Sequence, residues 1–574
     1  MMARWLLPDV DEGLVRRLCR VLGIQAPAAR VLVRRGYADP AAARQFLWPR
    51  LEDLLDPYCL ADMRAAARRL RQAVERQESV LLYGDYDVDG TCSIVILKKA
   101  IEIAGGRATF YIPDRLKEGY GMRTSVLEQA ANQGVTLVVS VDTGIRASQV
   151  VERARELNLD VIITDHHLPD LEIPRAVAVL NPNRPDCPYP DKNLCGAAVA
   201  FKLVQALFRE LNWPAGKIRR LEESFLKIVA LATVADVVPL QGENRIIVKY
   251  GLEGFRSIKN AGLRALMRVA GFQSGELPSA SQLAFRLAPR LNAAGRMAHA
   301  EAVIQLFLAE DDTAAQAFAE RLQGLNQERQ QTEADIVAAI LEECERTPIT
   351  DDQAALVFCG RQWHRGVLGI VASRLVDRFC RPTLVLGEEN GEAHGSGRSV
   401  PSFHLLEALE SMSDLFTRFG GHRMAAGVTL PAERVNELRQ RLNDYAKQYL
   451  QPEDLRPQLE IDAELSFEEV NDVSVGQVLA LAPFGAGNPS PQFLVRQLEV
   501  CQAPAIVKDR HLQIGLRQGA RTLFLKAWNF ADKAEALVPG ARLDAVVYFE
   551  EDPYGKARGY PGWSIQLKDI RPLR

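Results

Sequence analysis

Apolar and polar positions alternate in blocks along this chain, and the blocks change period. Residues 80–83 form a short apolar run that ends in an acidic, glycine-containing stretch, and 92–103 come next with helical spacing. The same order recurs at 137–141, 161–163 and 176–180, each run closing on polar residues. Short apolar strands separated by helices predict a parallel sheet with crossover connections. Ahead of it, 61–77 is a basic amphipathic helix. Residues 1–50 are helical and arginine-rich, an extension expected to pack on the adjoining domain. Residues 51–265 make one α/β domain, with 221–235 a long apolar helix that ends at Asp236. Residues 266–350 form a connector. Its helix, from 313 to about 345, is polar on all faces around 326–333, as in helices that bridge domains through solvent. A second, smaller α/β block occupies 351–450. After a linker at 451–457, residues 458–574 carry five short strand patterns, at 493–500, 511–516, 522–528, 543–549 and 563–567. They suit a small β-barrel of the oligonucleotide-binding (OB) kind.

Composition narrows the class of protein. The 574 residues are 47% hydrophobic and 25% charged, which excludes a disordered or fibrous chain. No window of about 18 apolar residues predicts a membrane span, and the N-terminus turns polar too soon for a secretory signal. Nine cysteines, an odd number with no C-x-x-C, indicate neither a disulfide scaffold nor a thiolate zinc site, and fit the cytoplasm. The net charge of −3 excludes a uniformly basic surface, so any nucleic-acid contact is confined to a local groove.

The informative chemistry lies where apolar runs end. Tyr83-Gly84-Asp85-Tyr86-Asp87-Val88-Asp89-Gly90 places three carboxylates at alternate positions after a strand. Such crowding is costly without a cation. An EF-hand is excluded, because a strand enters the loop and the twelfth position is Ile96. Taken alone, the stretch also fits a solvated acidic turn. Asp142 follows the next strand and Asp165-His166-His167 the one after; singly they fit a helix cap and a structural histidine pair. Ligands of open parallel sheets bind beyond the carboxyl ends of the strands, so the three segments are expected to converge. Carboxylate and imidazole without thiolate suit Mn²⁺ or Mg²⁺. The donors are too many for one ion. Two ions about 3.5–4 Å apart, bridged by a carboxylate, clamp a phosphoryl group. Asp236 is placed to close such a site.

Asp-x-Asp after a strand, a further Asp, then Asp-His-His and a later Asp resemble the DHH phosphoesterase superfamily. Gly420-Gly421-His422-Arg423-Met424-Ala425-Ala426-Gly427 resembles the signature of its DHHA1 domain. Further segments, 289–296, 363–370 and 395–399, with the terminal barrel, extend the likeness over nearly the whole chain, to the RecJ family of bacterial exonucleases. The resemblance implies an α/β fold: a DHH-type parallel-sheet domain, a long helix, a smaller DHHA1-type domain and a C-terminal OB-like barrel. It implies a single-stranded-DNA-specific 5′→3′ exonuclease of recombination and repair that releases 5′-mononucleotides by two-metal hydrolysis. Asp87, Asp89, Asp142, His166 and Asp236 would be the metal ligands, with Asp142 the bridge. Asp85 would orient ligands or water, and His167 would contact the scissile phosphate. A single-strand-binding protein and a RecQ-type helicase are the implied partners.

The remaining candidates concern the strand itself. Gly395-Ser396-Gly397-Arg398-Ser399 and Gly420-Gly421-His422 read either as tight turns or as loops whose backbone N–H groups cradle a phosphate beside Ser396, Arg398 and His422. The family pattern makes them a pocket for the DNA 5′ end. Tyr120 is either a core residue or a base-stacking one, and by resemblance Tyr120 and Arg115 contact nucleotides. Arg296, expected after an Asn-Ala-Ala-Gly turn, is a candidate for stabilising charge on the phosphate. Arg286 and Arg290 also fit plain surface charge. Lys508, Arg510, Arg517, Arg521 and Lys526, with Phe524 and Trp528, read as a single-strand groove or as a solvated face. The rival functions are a hydrolase of short RNAs or cyclic dinucleotides, a manganese pyrophosphatase, and an inactive single-strand-binding scaffold.

Overall fold

The computed structural model describes residues 3–115 and 117–573. Five parallel strands form the first sheet, in the spatial order Arg107–Tyr111, Ser79–Gly84, Val135–Val141, Asp160–Thr164, Ala178–Leu180. Their continuous apolar runs follow from burial on both faces. Val80 and Leu82 belong to one core and Leu81 and Tyr83 to another, on opposite sides of the sheet. Arg107–Tyr111 is one of the two edge strands, half-exposed and with little apolar pattern, which is why periodicity passes over it. The helix after the first strand runs Val88–Ile103, four residues longer than its apolar pattern predicts. The Asp87 side chain caps it by accepting the Gly90 N–H at 3.0 Å, so Asp89 stands in its first turn rather than in a loop.

Helix Asp312–Arg346 has 35 residues, a span of about 52 Å at 1.5 Å per residue. Its polar middle is not solvent-bridging. Asn326, Arg329 and Glu333 are buried. Arg329 donates to Glu333 and to Asn326, both at 2.7 Å, and Arg374 of the second α/β block pairs with Glu333. The polar face is therefore a seam between blocks, each charge met by a partner.

The second block holds a mixed sheet ordered Arg418–His422, Ala425–Pro431, Glu392–Arg398, Thr383–Glu389, Leu356–Arg361. Both glycine-rich segments expected as loops are strands here. Glu392–Arg398 is hydrogen-bonded on both sides, to Thr383–Glu389 and to Ala425–Pro431, so its N–H groups are committed to the ladder. Its glycines answer to packing: a Cβ on Gly395 would lie 2.3 Å from the Val385 oxygen.

In the C-terminal region the strands Phe493–Val500, His511–Gln518, Arg521–Ala527, Trp563–Pro572 and Arg542–Glu551 close into a five-stranded barrel, because Phe493–Val500 pairs with both His511–Gln518 and Arg542–Glu551. The N-terminal helices pack chiefly on this barrel region rather than on the adjoining α/β domain. Val15, Leu18, Val31 and Leu32 share a core with Phe467, Val475 and Val478. Strand Arg4–Leu6 pairs with Gln458–Glu460, and Arg35 Nε meets Asp462 at 2.9 Å. An amphipathic face announces that it needs a partner, not which one. Among the described residues, no helix is long and apolar enough to cross a membrane.

Candidate functional site

Three strand ends and one helix end converge at the carboxyl edge of the first sheet. Asp85 follows Ser79–Gly84 and is buried; the chain behind it is so close that a Cβ on Gly90 would lie 2.6 Å from the Asp85 oxygen. Asp142 follows Val135–Val141 with φ 58°, a left-handed conformation that aspartate and asparagine adopt more readily than most residues, held by its N–H bond to Thr164 O at 2.9 Å. Helix Gly196–Glu210 abuts Asp142 and Asp89. A Cβ on Gly196 would lie 2.7 Å from the Asp142 Cβ. The Gly196 and Ala197 N–H groups donate to Asp89 at 2.6 and 2.8 Å, so a helix N-terminus holds that carboxylate. Asp236 caps the end of helix Ala215–Ala235.

His166 sits among these acids. Its Nε2 lies 3.2 Å from Asp142 Oδ1, 3.7 Å from Asp236 Oδ2 and 3.8 Å from Asp89 Oδ2. Three groups of side chains each bring one donor atom apiece within 4.8 Å: Asp142, His166 and His167; Asp89, His166 and Asp236; Asp85, Asp87 and Asp142. Asp142 and His166 each belong to two groups. All seven expected metal-site residues are thus brought together, with Asp85 and His167 as close as the rest.

The cluster is electrostatically unsatisfied by protein alone. Burial, then the charges of Asp89, Asp87, Asp85 and Asp236, pushes the Asp142 carboxyl well above the usual carboxylate range. Burial and then Asp87 do the same to Asp85. Burial, then Asp89 and Asp87, pushes Asp236 up to about 9. Asp85 Oδ1, Asp142 Oδ1 and Asp236 Oδ2 are buried and make no hydrogen bond. Buried acceptors without donors are costly, and a hard divalent cation such as Mn²⁺ or Mg²⁺ relieves both the crowding and the missing bonds. The residues fit such ions.

Asp165 has a different task. Its Oδ1 accepts from the His166 N–H at 2.7 Å and the His167 N–H at 3.1 Å and meets His167 Nδ1 at 2.7 Å; its Oδ2 accepts from the Ile145 N–H at 2.9 Å. The carboxylate is spent on holding the histidine pair. Burial works against a charged His167, but the Asp165 bond together with the charges of Asp165, Asp89 and Asp85 outweighs it and the pKa moves up. Burial lowers that of His166. Asn181 and Asn183 fasten the same turn, their side-chain amides donating to His167 O at 2.9 Å and His166 O at 2.6 Å. Sequence pattern passes over both; the signal that could find them is Asn-Pro-Asn at the end of the last strand.

A basic surface faces the acids. Tyr120 is 52% exposed, so it is not a core residue, and its hydroxyl donates to Asp142 O at 3.3 Å and lies 3.2 Å from His167 Nδ1. The Arg115 guanidinium stacks 4.9 Å from the Tyr86 ring. Arg296 lies within helix Ala288–Met297, not after a turn, and donates to Gly366 O at 3.1 Å. Gly295 gives the helix its close approach: a Cβ there would lie 2.5 Å from the Tyr86 oxygen. Burial, then the charges of Arg115, Arg329 and Arg398, lowers Arg296 to about 10. Burial and Arg115 lower Arg398 as well. Arg398 donates to Ser396 Oγ at 2.9 Å, and both side chains lie against Gly369, in the first turn of helix Leu368–Phe379. His422 is exposed and feels Arg398, its pKa lowered by burial and then by that charge. In the barrel, Phe524 and Trp528 are exposed on one face with Lys526, while Arg517 and Lys526 are already paired with Glu499 and Asp552 at 2.7 Å. Arg286 packs on Phe272 and Arg290 on Gln323, both structural.

Comparisons with known proteins agree along the chain. A family model described as the DHH family, N-terminal domain, matches residues 79–233; the DHHA1 domain matches 351–448 and the RecJ OB domain 461–566. The single-stranded-DNA-specific exonuclease RecJ of Bacillus subtilis is 39% identical over 546 residues, 95% of this chain and 68% of that protein. Its namesake in Escherichia coli is 36% identical over 505 residues, 84% of this chain and 86% of that one. The crystal structure of RecJ in complex with Mn²⁺ from Thermus thermophilus superposes with a TM-score of 0.84 at 28% identity, covering 100% of this chain and 80% of the other. A Mg²⁺ complex of the same protein matches at 0.78. Modules in this order, and identity of this depth over most of both chains, show that the chain belongs to the RecJ family.

Proposed function

We propose that the chain is a single-stranded-DNA-specific exonuclease that removes 5′-mononucleotides one at a time from a 5′ end. The observation that carries this is the juxtaposition of a buried, unsatisfied acid cluster with converging arginines from three parts of the chain. Asp87, Asp89, Asp142, His166 and Asp236 would hold divalent cations, which would supply charge for the scissile phosphate and acidify water beside it. Asp85 orients this set from behind.

The chain's own groups divide the rest. Asp165 accepts the Nδ1–H of His167, which leaves Nε2 turned toward the phosphate. Arg296, fixed by Gly366 O, faces the charge that builds on the non-bridging oxygens. Tyr120 offers an exposed ring on which any base can stack, and Arg115 neutralises a neighbouring phosphate. Ser396, Arg398 and His422, together with the first turn of Leu368–Phe379, form the cradle for the terminal 5′ phosphate. A cradle at a fixed distance from the acid cluster sets the polarity, because the bond next to the bound end is the one presented for cleavage. The barrel's Phe524 and Trp528 hold the strand beyond. An enzyme restricted to single strands needs duplex opened and strands kept open, which a RecQ-type helicase and a single-strand-binding protein provide. Unpaired cysteines throughout accord with work in the cytoplasm.

Purified protein with Mn²⁺ and single-stranded DNA labelled at either end tests this. A 5′ label is expected to leave at once as a mononucleotide, while a 3′ label gives a shortening ladder. Release from the 3′ end, activity on dinucleotides alone, or no product contradicts it.

A further inference from the structure

Phe285 has no evident structural task. It is 79% exposed, and it stands in the middle of the π-helical turn Leu283–Leu287. Single π-turns are rare and concentrate at functional sites. The ring lines a cavity of about 610 Å³ whose other walls include Val237, Ala288, Pro289 and Phe484, with Arg296 also on its lining and no carboxylate among the described lining residues. Val237 directly follows Asp236. It is 70% exposed, and its φ of 61° is strained for a β-branched residue. Strain and exposed apolar surface thus meet beside the acid cluster.

The wall from the C-terminal region is fixed in place. Leu240 N–H donates to Ala486 O at 2.7 Å and the Gln241 side chain to Gly487 O at 2.8 Å. Asn488 is buried, and its side-chain amide donates to Leu481 O and Pro483 O at 2.9 and 2.8 Å. The cavity is therefore preformed. Its walls come from the segment around Asp236, the helix that carries Arg296 and the C-terminal region at Phe484–Ser490.

Aromatic and aliphatic walls with the Arg296 guanidinium among them match one ligand chemistry, a planar base attached to a phosphate. The cavity's side-chain hydrogen-bonding groups are few, and Asn292 already accepts from the Val88 N–H at 3.3 Å, so the walls stack a base without reading its identity. We infer that Phe285 stacks the base on the 3′ side of the scissile phosphate and thereby positions that bond over the acid cluster. This rests on the exonuclease function proposed above.

The test uses the full chain, the variants Phe285→Ala, Phe285→Leu and Phe285→Trp, and single-stranded DNA carrying 2-aminopurine as its second nucleotide from the 5′ end. In EDTA, where no bond is broken, wild type and Phe285→Trp are expected to quench the probe on binding, and Phe285→Ala and Phe285→Leu to quench it much less. With Mn²⁺, Phe285→Ala is expected to raise KM about tenfold, with kcat changed far less. The ring is exposed, so folding is checked simply by an unchanged thermal melt. Equal quenching and equal KM in wild type and Phe285→Ala overturn the inference, as does full rescue by Phe285→Leu, which would mean bulk rather than stacking. A wild type that digests DNA while the probe is blind to Phe285 sinks the stacking alone. A wild type that digests nothing sinks the exonuclease function, and the stacking with it.

Discussion

The acid cluster and the basic surface opposite it are mirror problems solved by different means. The acids are short side chains set directly by strand and helix ends: Asp85, Asp142 and His166 each follow a strand of the first sheet within two residues. Their positions are as rigid as the sheet. The basic surface is assembled from long side chains, Arg115, Arg296 and Arg398, drawn from a loop, a connector helix and a strand of the second block. Rigid carboxylates suit ions that demand a fixed coordination geometry, and adaptable guanidiniums suit a polymer that must enter, react and leave.

Breaking the acid half is expected to have the largest effect. Asp142→Ala removes the carboxylate shared by two donor groups, and hydrolysis is expected to fall on the order of 10³-fold or more, while single-stranded DNA binding by filter or anisotropy assay changes little. Near-normal turnover in that variant contradicts the metal assignment. Breaking the basic half is expected to be milder and more specific. Arg398→Ala is expected to lose roughly tenfold in kcat/KM on 5′-phosphorylated DNA, and its activity is expected no longer to depend on whether the 5′ end carries phosphate. A variant that still prefers phosphorylated ends places the cradle elsewhere. The smallest effect on chemistry is expected in the barrel. Phe524→Ala with Trp528→Ala is expected to weaken binding of long strands by about tenfold and to leave kcat nearly unchanged. Point variants sharpen this contrast better than deleting 458–574, because that deletion would strip the N-terminal helices of the core they share with the barrel.

The same contrast explains what can be read from sequence. Buried parallel strands announce themselves as apolar runs, and chemistry at their ends follows in register, so the acids and histidines that meet in the cluster are legible residue by residue. Each miss has a physical cause. The helix at Val88 begins among Asp89 and Gly90, poor helix formers that a cap and a neighbouring helix N-terminus rescue. The glycine-rich strand Glu392–Arg398 looks like a loop because glycine serves close packing as well as turning. The polar stretch of Asp312–Arg346 looks solvated, yet Arg329, Asn326 and Glu333 satisfy one another in a seam that only tertiary contact reveals. Asp165 carries no assigned role in the sequence pattern, and its partners make it a clamp. Phe285 and Val237 carry no pattern at all; only the cavity brings them together.

Anomalous scattering from crystals soaked in Mn²⁺ tests the central claim most directly. Two peaks about 4 Å apart are expected, one on each side of Asp142 and within ligand distance of His166 and the surrounding carboxylates. No peak there, or a single ion held away from Asp142, contradicts it.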